Sequence, residues 1–88
     1  MQIQDFQKFI YDKYYPTDSV RGTPATFLWF IEEVGELATA LAGKDQKSKE
    51  EEFADVLAWL CTLANINSVD LQTAIEKYTV HGVDGTKT

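Results

Sequence analysis

The sequence predicts an all-α fold on three observations. Apolar residues recur at helical spacing in four segments, helix start and stop signals bracket those segments, and no strand alternation or hairpin dipeptide between alternating apolar runs occurs in the chain. The expected protomer is four-helix-bundle-like, built on an antiparallel helical hairpin and associated into an oligomer.

Each element follows in order. Ile3, Phe6, Ile10 and Tyr14 lie on one helical stripe, and Pro16 has no amide hydrogen to continue the ladder, so the first helix is expected over 3–15. Tyr15 to Thr23 carries proline, glycine, aspartate and serine without periodicity, and reads as a loop of about nine residues, long for a helix connection. Thr23-Pro24 reads as an N-cap followed by proline in the first turn, and Gly43 as the stop, giving a second helix over about 24–42. Ser48-Lys49-Glu50-Glu51 matches a capping box that opens a third helix running to about Ile66. Leu71, Ala74, Ile75 and Tyr78 give a shorter fourth helix starting near Ser68 or Asp70. A single domain over 1–79 is expected from the length, with 80–88 as a flexible tail that includes His81.

Composition narrows the function classes. The longest apolar run, Phe27 to Ile31, is far below the roughly 20 residues of a membrane crossing, and the N-terminus has no basic n-region or apolar h-region, so a cytoplasmic protein is expected. The single cysteine, Cys61, reads as a small core or interface residue and not as a disulfide or zinc ligand. A formal net charge of -6 disfavours a nucleic-acid polymer as partner. Apolar residues from Phe27 to Leu41 cover more of the second helix than one small bundle can bury, which predicts a homo-oligomer, dimer or tetramer.

The acids carry the strongest signal, since eight of the fourteen lie between Glu32 and Asp55. A short link near Lys44 should fold the second and third helices into an antiparallel pair, in which residues numbered to a sum of about 88 lie level. Glu36 then faces Glu52, Glu33 faces Asp55, and Trp29 faces Trp59. With a rise of about 1.5 Å per residue, the two acid layers stand only about 4.5 Å apart. At an effective dielectric of about 20 each like-charge pair costs roughly 3 kcal/mol, and the set on the order of 10 kcal/mol. No basic residue lies between Thr23 and Gly43, and Lys49 falls on another face of its helix, so a bound cation is the simple remedy. Oxygen-only ligands select Mg²⁺, Mn²⁺ or Ca²⁺, and an incomplete protein shell suits Mg²⁺. The alternative for such acids is a solvated helix face; two tryptophans flanking them argue against it.

Glu32-Glu33-Val34-Gly35-Glu36 followed by Glu52-Phe53-Ala54-Asp55 forms the pair E-E-x-x-E and E-x-x-D. With Thr26-Phe27-Leu28-Trp29 before it and Val56-Leu57-Ala58-Trp59-Leu60 after it, the pattern resembles the MazG family of all-α nucleoside triphosphate pyrophosphohydrolases, over roughly residues 3–78. The resemblance implies hydrolysis of a nucleoside triphosphate to the monophosphate and pyrophosphate in nucleotide-pool house-cleaning. It implies Mg²⁺, or Mn²⁺, on Glu33, Glu36, Glu52 and Asp55. Glu32 lies about 100° round the helix from Glu33, and reads as a water-orienting base, a ligand of a further metal, or a solvated glutamate. Trp59 and Trp29 can stack on a base, one of the two being the better candidate for packing in a core or interface. Arg21 can grip phosphate as a fork, and Lys77 matches a lysine that relatives carry in the last helix. The stretch Val83-Asp84-Gly85-Thr86 departs from the basic, aromatic and proline tail of some branches. Other readings are a dedicated dUTP, dCTP or phosphoribosyl-ATP pyrophosphohydrolase, and a non-catalytic helical scaffold that binds a structural ion.

Overall fold

A computed structural model describes residues 1–80; positions 81–88, which hold His81 and all but the first residue of the expected tail, lie outside the described residues. The described chain is all-helical, in the order α1 (Ile3–Arg21), α2 (Thr23–Ala42), α3 (Gln46–Ile66), α4 (Leu71–Ala74) and α5 (Glu76–Thr79). α3 is the central element, packed along both α1 and α2, while α1 and α2 touch little beyond their joint. Between α2 and α3, Trp29 stacks near Trp59 and Glu36 lies near Glu52.

Four local expectations are corrected. α1 does not end before Pro16 but runs through it to Arg21, so the expected nine-residue loop does not exist. An internal proline costs about 3 kcal/mol. Tertiary ties made by the last turn offset it: Asp18 is buried, Arg21 Nη2 donates to Asp18 Oδ1 at 2.6 Å, and the guanidinium lies 5.0 Å from the centre of the Trp59 ring. The link to α2 shrinks to Gly22, at φ 81° and ψ 172°, a region closed to side chains bearing a Cβ. Gly22 is therefore the N-cap of α2 and Thr23 is its first residue, its hydroxyl accepting from Asn67 Nδ2 at 3.2 Å.

The Ser48 capping box is also superseded. Asp45 caps α3, accepting from the Lys47 amide at 3.0 Å and from Ser48 Oγ at 3.1 Å, so the helix opens three residues earlier. The fourth helix breaks at Ile75 into two single turns, α4 capped by Asp70 and α5 unpinned by any side-chain cap. α3 stops where expected, at Ile66: Ser68 adopts a left-handed φ of 57° and the Val69 amide turns back to Ala64 O at 2.8 Å.

The core lies on the α1–α3 seam and is small and polar. Ile10, Cys61 and Ala64 are its buried apolar members, alongside buried Gln7, Asp18, Thr26 and Thr62. Burial pushes the Cys61 thiol above its usual pKa, in keeping with a packing role. Gln7 pins the seam, donating to Asn65 Oδ1 at 2.9 Å and Val69 O at 2.7 Å while accepting from the Leu71 amide at 2.9 Å. In contrast, α2 leaves Phe27, Leu28, Ile31 and Leu41 about half exposed or more. No helix among the described residues is long and apolar enough to cross a membrane.

Candidate metal centre

Helical spacing sets Glu33 one turn from Glu36 on α2, and the facing turn of α3 presents Glu52. One carboxylate oxygen from each of the three lies within 4.8 Å of the others. Glu33 and Glu52 are half-buried, and Oε2 of each is buried with no hydrogen-bond partner among the described residues. The ion pairs among those residues are Lys8–Asp12 and Asp18–Arg21, so no cation among the described residues pairs with the trio.

The electrostatics record the crowding. Burial raises the Glu33 carboxyl from 4.5 to about 7, with further contributions from the charges of Glu36, Asp55 and Glu52. Glu52 moves in the same direction, first from burial and then from Glu36, Asp55 and Glu51. Two buried oxygens and a third carboxylate, unpartnered by any basic group among the described residues, form a donor set that fits a hard divalent cation.

The expected site residues fall in different places. Glu33, Glu36 and Glu52 come together. Asp55 stands outside that trio but close enough for its charge to act on both Glu33 and Glu52. Glu32 is exposed on the same turn of α2. Trp29 and Trp59 lie nearly parallel, ring centres 6.3 Å apart and planes 15° from each other, with Trp59 half-buried and Trp29 more open. Lys77, on α5, places its ammonium over the Tyr78 ring and lines none of the hollows beside the acids.

Two hollows flank the acids. A cleft of about 430 Å³ opens between α1 and α3, walled by Ile10, Ala58 and Trp59 and reached by Asp18, Arg21 and Asp55. On the other side, a shallower hollow of about 290 Å³ is lined by Thr39 and Ser48 as well as Glu36 and Glu52. Arg21 is held from three directions: Nε donates to Thr26 Oγ1 at 2.9 Å, Nη2 pairs with Asp18, and the plane covers Trp59.

Asp18, Thr26 and Thr62 are the members of this neighbourhood that sequence reasoning missed. The signal was present: positions 10, 14, 17, 18 and 21 form one helical stripe once α1 is allowed to pass Pro16.

Comparison with curated proteins gives no match. A family model described as the MazG nucleotide pyrophosphohydrolase domain matches residues 22–80, which takes in α2 through α5 with all the acids of the centre and leaves α1 upstream. With two thirds of its length matched by that model, the chain belongs to the MazG nucleotide pyrophosphohydrolase domain family.

Proposed function

We propose that the protein is a Mg²⁺-dependent pyrophosphohydrolase that converts a nucleoside triphosphate and water to the monophosphate and pyrophosphate, in the maintenance of the nucleotide pool. The convergence of Glu33, Glu36 and Glu52, with two buried carboxylate oxygens unpartnered, carries the reading. A triphosphate brought to this face unaided is repelled by it. Bound Mg²⁺, or Mn²⁺, supplies the charge neutralisation that lets acids and phosphates share one place.

The chain's own residues do the remainder. Glu33, Glu36 and Glu52 hold the cation from two helices, and Asp55 completes the set from the cleft side. The apolar cleft, with Trp59 in its wall, receives the nucleoside, with Trp29 as a second aromatic surface and Arg21 as the basic residue of the same cleft. Glu32 orients the attacking water and takes its proton as the water oxygen bonds to the α-phosphorus in line. The bond from that phosphorus to the bridging oxygen breaks, and pyrophosphate leaves with the electron pair.

The half-exposed apolar face of α2 supports a second part of the reading, association of copies of this chain through that helix. Size-exclusion with light scattering should give a dimer or tetramer, and Leu28→Lys should shift it towards monomer; a wild-type monomer at micromolar concentration contradicts the association.

Incubation with a panel of triphosphates and Mg²⁺, with products resolved by chromatography, tests the activity. Monophosphate plus pyrophosphate is the expected outcome, lost on chelation. Diphosphate plus phosphate overturns the bond assigned, and cation binding with no gain in affinity for a nonhydrolysable nucleotide favours a structural ion site.

A further inference from the structure

We propose that Asp18 is the specificity-determining residue of the α1–α3 cleft and that it reads an exocyclic amino group on the nucleobase. The inference rests on the hydrolase reading above and narrows its substrate class. Asp18 is 5% exposed and lines the cleft. Its Oδ1 is taken by Arg21 at 2.6 Å, whereas its Oδ2 is buried and has no hydrogen-bond partner among the described residues. An unsatisfied buried carboxylate oxygen is costly and accepts only, so what fills the cleft must bring a donor to it.

The surroundings select the kind of donor. At about 430 Å³ the cleft is within the size range of small-molecule sites, and its walls at Ile10, Ala58 and Trp59 suit a flat apolar ring. Asp55 lines the same cleft and its charge acts on Glu33, so the cleft that Asp18 lines adjoins the acids where the phosphates would sit. Arg21 fixes the orientation of the carboxylate through Thr26 and Trp59, leaving a single acceptor position. An amino group projects beyond the ring and gives that position an N–H. With the exocyclic group aimed at that position, the keto analogue presents a carbonyl oxygen and two acceptors repel; its ring N–H reaches the carboxylate only if the base shifts in its plane. Cytosine and adenine nucleotides are therefore favoured over those of uracil and hypoxanthine, which argues against a dedicated dUTP hydrolase. α1, which carries Asp18, lies outside the span matched by the family, so the reader is supplied by a separate element from the acids it serves.

Matched pairs test the inference directly: kcat/KM of the full chain with Mg²⁺ for dCTP against dUTP, and for dATP against dITP. The amino member of at least one pair should lead by about tenfold or more, the discrimination expected of a site that hydrogen-bonds a substrate N–H. Asp18→Asn, with its fold checked by circular dichroism, should bring that ratio to one or below, because the Arg21 pair keeps the amide oxygen and leaves the NH2 donor facing the base. Equal or higher rates with the keto members overturn the inference and leave the hydrolase reading standing. A variant that loses rate on all four substrates with the ratio unchanged gives Asp18 a purely structural role and also overturns it. No turnover of any of the four with Mg²⁺ or Mn²⁺ overturns both. The wild-type ratio decides the matter even if the variant does not fold.

Discussion

Replacing Glu33 by Gln should stabilise the cation-free protein at high pH and leave it unchanged at low pH. Glu33 shares a 4.8 Å sphere with Glu36 and Glu52. Two unit charges at that separation repel by about 3.5 kcal/mol at an effective dielectric of 20 and by about 0.9 kcal/mol in bulk water. The side chains are only half-buried, so solvent screening places each pair near the lower figure, and removal of two pairs is worth about 2 kcal/mol. The sign with pH follows from linkage. The Glu33 carboxyl sits at about 7 when folded against 4.5 when unfolded, so the native state binds the extra proton between those values. Wild-type stability therefore falls as pH rises through that window, by the repulsion and burial that the variant lacks. Thermal melts in chelator should give the variant a Tm about 10 °C higher at pH 8, at the 4–8 °C per kcal/mol typical of a domain this size, and a matched Tm near pH 4. An equal or lower Tm for Glu33→Gln at pH 8 refutes the reasoning, because it means the carboxylates do not strain one another.

The same cluster predicts that Mg²⁺ raises the wild-type Tm at pH 8 but hardly at pH 5, since ligands must be deprotonated before they bind; a pH-independent shift in the melt places the cation elsewhere. Gly22→Ala should cost about 1–3 kcal/mol in denaturant unfolding, from conformation alone, because a Cβ there meets no atom within 4 Å while φ is 81°. Gln7→Ala should cost about 2–3 kcal/mol in the same measurement, since it strips three hydrogen bonds and leaves Asn65, Val69 and Leu71 groups without their partner.

The fold was legible wherever one local rule acted alone. The apolar stripes located α1, α2 and α3 and the stretch that splits into α4 and α5, and the stop at Ile66 agrees with expectation. The level pairing of Glu36 with Glu52 and Trp29 with Trp59 follows from the brevity of the link near Lys44. Legibility failed where two rules competed. Pro16 weighs locally against a helix, and only the distant Trp59 and the buried Asp18–Arg21 pair explain why the helix continues. Asp45 and Ser48 are both good caps three residues apart, and the first prevails by capping Lys47 while also holding the Ser48 hydroxyl. The acids of the centre were readable because they repeat on helical faces. Asp18 was not, because its significance depends on a helix that the proline concealed.

The central claim is that carboxylates from α2 and α3 share one divalent cation, and a crystal of the protein soaked in Mn²⁺ at pH 8 tests it most directly. Anomalous scattering should show a peak among Glu33, Glu36 and Glu52, at oxygen distances of about 2.0–2.3 Å, with Asp55 at its edge. Glu33 and Glu52 turned apart, with no peak between them while Mn²⁺ binds elsewhere on the protein, contradicts the account.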